Sequence, residues 1–378
     1  MSTVPPFIPV AEPDLGELEE RYVLDALRSG WVSSIGEYID RFEREFAEFC
    51  GVAHCIAVSN GTVALQLALA ARGIGPGDEV IVPDLTFVAT AAAVVHSGAT
   101  PVLVDIDEAT MCIDPQLVED ALSPRTRAVI PVHLYGHPAP MAELRSLCGA
   151  RGLLLLEDAA EAHGAKSSGA PVGALGDVAS FSFYGNKLMT TGEGGALTTN
   201  DGAFARRARF LKDHAMSPER RYFHPELGFN YRMTNLQAAL GCAQLKRFAG
   251  TLDRKRQILE WYTEALAGTG VSLNPRGPLA DPVCWLVVAR FPADRAPDVS
   301  ALAAKMRAEH RIDTRPFFVP MHALPPLAEA RFLKRSKLAV SADAYARGLC
   351  LPSSNALTRT DVARVVDALL ECADWARS

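Results

Sequence analysis

Lys187 stands in the run FSFYGNKLMTTGEGG, between a β-branched and aromatic stretch and a cluster of Gly, Thr and Glu. Upstream, the apolar run GLLLLED closes on Asp158. A lysine works as a nucleophile only in its neutral form, which burial or nearby positive charge favours by lowering its pKa. A carboxylate ending a strand of four leucines is costly to bury without a cation beside it. Solvation at the surface is the commoner fate of any one lysine, and capping of the following helix is a common role for such an aspartate. The two together suit one cofactor, pyridoxal phosphate (PLP). The lysine would hold its aldehyde, and the aspartate would pair with its protonated ring nitrogen and keep the ring an electron sink. The run Glu157-Asp158-Ala159-Ala160-Glu161 favours a site, with Glu161 and His163 close enough beyond Asp158 to meet a cofactor hydroxyl or a substrate.

A phosphate needs its own cradle. Ser59-Asn60-Gly61-Thr62 follows a strand-like segment and opens the Ala/Leu-rich run TVALQLALAA. Such a junction offers free backbone N–H groups and the positive end of a helix dipole to an anion. Gly61 allows close backbone approach and Thr62 can donate a hydroxyl; an ordinary helix cap has the same composition. The chain has no Walker loop and no GxGxxG at this point, which disfavours nucleoside triphosphates and dinucleotides. Phe87, after EVIVPDLT, is placed to lie flat on a cofactor ring, and Ser182 to add a hydroxyl at the phosphate.

The elements that must position these groups are short apolar runs at 55–58, 79–82, 101–105, 128–132, 153–158 and 178–184. Helix-like segments such as 62–71 and 88–95 separate them. This alternation predicts a mostly parallel sheet covered on both faces, with ligands collecting beyond the carboxyl ends of the strands. Helices are expected over Asn235 to Phe248 and Asp253 to Leu266, the second bridging a large domain (1–250) to a smaller one (251–378). Within the latter, 284–290 reads as a strand, 299–310 as a helix and 315–326 as a Pro-rich stretch.

Composition narrows the class. With 378 residues, 49% apolar and 22% charged, the chain is long enough for two cores and ordinary for a globular protein. A net charge of −6 argues against nucleic-acid or membrane partners. Neither a membrane span nor a signal peptide is legible, so a cytoplasmic location is expected. The eight cysteines are scattered. Cys50 and Cys55 flank His54, but no second ligand pair lies nearby, and no metal is expected.

The ordered set SNGT, IGPGDEVIVPDLTFVAT, GATPVLVDID, PVHLYG, LLLLEDAAEAHGA, FSFYGNKLMTTGEGG and GFNYRMTNLQAA resembles the DegT/StrS family of PLP-dependent sugar aminotransferases from about residue 8 to nearly the C-terminus. The resemblance implies the PLP fold-type I (aspartate aminotransferase-like) α/β architecture. That is a large domain with a mostly parallel mixed sheet between helices, plus a smaller C-terminal α+β domain. It also implies a homodimer with active sites at the subunit boundary. It makes Lys187 the Schiff-base lysine, Asp158 the partner of the ring nitrogen, and Glu161 a neighbour of the cofactor hydroxyl. Gly61, Thr62 and Ser182 match phosphate-binding positions, Phe87 the stacking aromatic, and Asn230 the asparagine that reaches the neighbouring subunit's phosphate. Trp31, Ser33, Tyr135, Tyr184, Asn186, Arg315 and His322 fall in segments that line the substrate pocket of relatives.

The implied reaction is ping-pong transfer of an amino group from L-glutamate to a nucleotide-linked keto-6-deoxy sugar. GNK followed by TTGEGG is most similar to the branch that acts at C4 of GDP-4-keto-6-deoxymannose, although that branch is expected to carry a histidine where this chain has Val319. Alternatives are the same chemistry on a dTDP- or UDP-keto-sugar, a 3-keto sugar or a cyclitol ketone; a dehydratase or synthase of the family; and a PLP-binding regulator without turnover. The regulator has no need of the full set Lys187, Asp158 and Asn230.

Overall fold

The computed structural model describes residues 5–277, 279–328, 330–332 and 338–375. Seven strands build the main sheet: β1 (His54–Val58), β2 (Glu79–Pro83), β3 (Thr100–Val104), β4 (Thr126–Val129), β5 (Leu154–Asp158), β6 (Val178–Ser182) and β7 (Gly195–Thr199). Their order is β1-β7-β6-β5-β4-β2-β3, and the two-residue strand Arg331–Phe332 adds parallel to β3. β7 runs antiparallel to both neighbours, β1 and β6, while every pair from β6 to β3 is parallel. The last apolar run legible in this half of the sequence ends at 184. Beyond it the chain turns back into a buried strand, GALTT, whose small residues carry little strand signal.

Both faces of the sheet are covered. Helices Gly61–Ala71, Ala89–His96 and Gly202–Lys212 pack Leu65, Leu67, Val94 and Phe204 on one face. On the other, helix Glu37–Cys50 and the start of helix Asn235–Ala265 enclose an aromatic cluster in which Phe46 meets Phe181 and Phe183 edge-on. Burial on both sides explains why the strands read as continuous apolar runs.

The two helices expected over 235–266 are one. Helix Asn235–Ala265 starts at a capping box between Thr234 and Gln237 and continues through Gly250, a break that a packed helix tolerates at about 1 kcal/mol. Ala238, Cys242 and Phe248 on this helix join the core of the main sheet, while Ile258 and Tyr262 join a separate C-terminal core. That core surrounds a small antiparallel sheet with Gly348–Leu351 between Val287–Arg290 and Arg315–Pro316, flanked by helices Val299–His310 and Arg359–Cys372. Ile8 also packs there and bridges to Ile312, so the start of the chain crosses over to its C-terminal part. Among the described residues, no helix is long and apolar enough to cross a membrane.

Candidate active site

A cavity of about 650 Å³ opens beyond the carboxyl ends of the parallel strands, lined among others by Asp158, Glu161, Lys187, Thr62, Trp285 and Phe318. Asp158 is the last residue of β5, and strand alternation turns it toward the cavity while Glu157 faces the other way. Thr90 donates its hydroxyl to Asp158 Oδ2 at 2.8 Å, and the Ala160 N–H reaches Oδ1 at 3.2 Å. Thr86 lies 3.1 Å from the Thr90 hydroxyl. These donors are neutral, and among the described residues no cation comes within ion-pair distance of Asp158. Burial therefore raises its pKa, against the pull of Thr90, Ala160 and Lys187.

Lys187 follows β6 in a turn closed by its own N–H, which donates to the Tyr184 carbonyl at 2.9 Å. Its amine lies 3.5 Å from Glu161 Oε1 and 3.8 Å from the centroid of the Trp285 ring. Burial lowers its pKa, opposed by the charges of Glu161 and Asp158. Burial also pushes Glu161 up to about 7, against Lys187 and a 2.8 Å hydrogen bond from the Tyr135 N–H. Tyr135 holds that N–H in place from a left-handed backbone conformation, φ 52°, which is uncommon for a residue with a side chain. The site thus keeps an amine and a carboxyl in contact, each moved toward its uncharged form. That arrangement suits proton transfer near neutrality.

The phosphate cradle forms where β1 meets helix Gly61–Ala71. Asn60 caps the helix by accepting from the Val63 N–H at 3.0 Å, and the N–H groups of Gly61 and Thr62 head the first turn. A Cβ on Gly61 would lie 2.8 Å from the Ser182 Cβ, so only glycine lets the helix start this close to β6.

Of the residues singled out from sequence, Gly61, Thr62, Phe87, Asp158, Glu161, Ser182, Tyr184, Asn186, Lys187 and Arg315 line the cavity. Trp31 and Ser33 are exposed and outside it; the Trp31 and Ser33 carbonyls accept from the side-chain and backbone N–H of Asn235. Asn230 is exposed, on a stretch paired with Asp213. Tyr135 is fully buried behind the wall, its ring stacked on Phe318 at 5.4 Å, so within this chain it supports the lining. His322 pairs through Nδ1 with buried Asp84 at 2.7 Å, and its N–H also reaches that carboxylate. This clamp fixes the Pro-rich segment to the end of β2. His163 does not line the cavity either. Its ring packs between Phe181 and Phe183, and burial drives its pKa to about 3, keeping it neutral. Cys50 and Cys55 are buried thiols whose pKa values burial raises, which gives the zinc reading no support.

The sequence reading missed Thr90, Trp285, Phe318 and Glu193. Thr86 and Thr90 are four apart, a helical spacing that could have flagged one shared face. Trp285 and Phe318 come from segments distant in sequence and carry no local signal.

Residues 13–370 match the DegT/DnrJ/EryC1/StrS aminotransferase family. The chain is 45% identical to the GDP-perosamine synthase of Caulobacter vibrioides over 371 residues, covering 96% of this chain and 98% of that one. Its structure is similar to S. venezuelae DesV in complex with a ketimine intermediate, with TM-score 0.89, 38% identity and coverage of 99% and 100%. It is also similar to the putative sugar aminotransferase Spr1654 of Streptococcus pneumoniae in its PMP form, with TM-score 0.92, 25% identity and coverage of 98% of each chain.

Proposed function

The chain belongs to the DegT/DnrJ/EryC1/StrS aminotransferase family, and we propose that it uses PLP to move an amino group from L-glutamate to C4 of GDP-4-keto-6-deoxymannose, forming GDP-perosamine. The convergence of Lys187, Asp158 and Glu161 on one cavity headed by a helix N-terminus carries the chemistry. The likeness to the Caulobacter enzyme carries the choice of sugar nucleotide.

The residues fit the cofactor. Asp158 is a buried carboxylate whose hydrogen-bond donors among the described residues are neutral, and a protonated ring nitrogen would complete it. The Gly61 and Thr62 N–H groups and the Ser182 hydroxyl would hold the phosphate, and Phe87 would cover the ring. When bound, PLP supplies the electron sink that stabilises negative charge at the carbon losing or gaining a proton. Lys187 Nζ is the group that carries this proton, since burial favours its neutral form and Glu161 lies within reach to share the charge. Tyr184, Asn186 and Arg315 would meet the substrate, with Arg315 offering a cation to a diphosphate or a carboxylate. We further propose a homodimer in which the exposed Asn230 reaches the phosphate held by the neighbouring subunit.

Incubating the protein with PLP, L-glutamate and GDP-, dTDP- or UDP-linked 4-keto-6-deoxy sugars tests the proposal. The GDP-linked mannose derivative should be aminated fastest. Turnover of only dTDP or UDP sugars would overturn the nucleotide assignment. Failure to convert glutamate to 2-oxoglutarate would remove the transaminase reading itself.

A further inference from the structure

Trp285 enters the cavity from the C-terminal part of the chain, just before strand Val287–Arg290, and is almost fully buried. Its ring face lies 3.8 Å from Lys187 Nζ, measured to the centroid. Its indole N–H donates to the Asn186 carbonyl at 2.8 Å, the peptide group that leads directly into Lys187. The same side chain therefore grips the lysine at both its backbone and its amine.

The indole is itself braced. Tyr135 lies nearly parallel to it, at 17° and 6.3 Å between centroids. From behind, the buried Lys255 donates to the Trp285 carbonyl at 3.2 Å and to the Ser353 carbonyl at 2.5 Å. The Ser353 hydroxyl in turn accepts from the Val287 N–H at 2.8 Å. The indole is thus backed by Tyr135, and the backbone that carries it is tied down by Lys255 and Ser353.

We propose that Trp285 is a positioning residue for the catalytic lysine, holding the Lys187 amine by its π-face and the Lys187 backbone by its N–H, and favouring the charged state of that amine whenever it is free. The physical basis is a desolvated cation over an indole, the strongest of the aromatic cation sites. The other groups facing Lys187 are Glu161 at 3.5 Å and the carboxylate of Asp158, with the neutral ring of His163 near enough to be felt. Glu193 and Arg315 line the same cavity. Burial alone drives the amine toward neutrality. The indole opposes that drift without adding a third carboxylate, so the lysine stays both reachable and protonatable. The proposal rests on the reading of Lys187 as the lysine that takes the aldehyde, but its test involves no turnover and no sugar.

The test is competitive acetylation of the full-length chain freed of cofactor, from pH 6 to 11, with modification at Lys187 followed by mass spectrometry. Lys166, exposed in a short hairpin, serves as an internal reference. W285L should lower the apparent pKa of Lys187 by about one unit, giving roughly tenfold faster labelling at neutral pH. W285F keeps a weaker π-face but loses the N–H and should fall in between; Lys166 should not move. The sign is decisive. If the indole only shields the lysine from water, W285L lets water in and the Lys187 pKa rises. A rise, or an unchanged profile in a folded W285L, overturns the proposal. If W285L does not fold, W285F decides by the same criterion.

Discussion

The two edges of the main sheet both bury carboxylates, and they treat them in opposite ways. At the amino edge, Glu79 opens β2 with no exposure to solvent. Ser123 donates to it at 2.6 Å, and Arg125 and Arg331 each approach to 2.5 Å. These partners outweigh burial and hold its pKa below the ordinary range. At the carboxyl edge, Asp158 has two neutral donors and Glu161 shares one lysine, so burial wins and both carboxyls are shifted upward. The first network is complete within the chain and ties the outer strand to the sheet. In the second, one lysine faces two carboxyls, and Asp158 has only neutral partners within hydrogen-bond distance among the described residues. Unmet electrostatic need, rather than burial or charge as such, separates a site from a structural ion cluster.

The largest effect should come from Lys187→Ala. It removes the one lysine amine that lines the cavity among the described residues and should reduce amino transfer by at least ~10³-fold, measured as 2-oxoglutarate and amino-sugar formation. The variant should also fail to retain PLP covalently, checked by borohydride reduction and mass spectrometry. Next is Asp158→Asn, which keeps an acceptor for Thr90 but discards the charge. A loss of about 10²-fold in kcat is expected, with PLP still bound through the phosphate cradle. If D158N kept full activity, the contrast between the two edges would carry no functional meaning.

The legible part of this molecule was the part in which sequence order and spatial order agree. Lys187, Asp158, Thr62 and Phe87 follow strands, and a parallel sheet gathers strand ends at one edge, so their meeting could be foreseen. Glu157 shows how fine the reading must be. One position before Asp158, it faces the other way and accepts from His133 and from the N–H groups of Gly173, Leu175 and Gly176. The Ala139 N–H donates to His133 Nδ1 at 2.9 Å, which leaves Nε2 to carry the proton toward Glu157. Glu157 is therefore structural, although the acidic run once spoke for a site. Tyr135 and His322 were placed in the pocket because their segments border it. Which side of a segment a residue takes is decided by tertiary partners, here Phe318 and Asp84, that no local pattern announces. Trp285 was invisible for the same reason, because its role exists only where two cores meet.

A smaller effect should come from Glu161→Gln and be visible in the pH dependence of stability without PLP. In the folded chain Glu161 titrates near 7, above its ordinary value of about 4.5. Below the ordinary value it is protonated in both states and imposes no penalty. As pH rises toward 7, the folded state binds the proton that the unfolded state has lost, and stability falls. The gain of E161Q over the wild type should therefore grow from pH 5 to pH 7 and then level off, by up to about 3 kcal/mol. Denaturant unfolding of the two proteins at several pH values measures it. A gap that stays constant across this range would remove Glu161 from the list of strained groups.

Glu79→Gln should give the smallest change and the opposite slope. A carboxylate whose folded pKa is depressed contributes stability that is fully present above its unfolded value and is lost as pH falls through the folded value. At pH 7, E79Q should cost about 1–2 kcal/mol, because Arg125 and Arg331 are partly exposed and water compensates them in part. As pH falls below the carboxyl's ordinary 4.5 the difference should shrink, since the unfolded chain then binds a proton that the folded chain resists. Its kcat for folded protein should match the wild type, because Glu79 sits at the edge away from the cavity. A lowered kcat with unchanged stability would mean that the amino edge reaches the chemistry after all, and the division between the two edges would have to be redrawn.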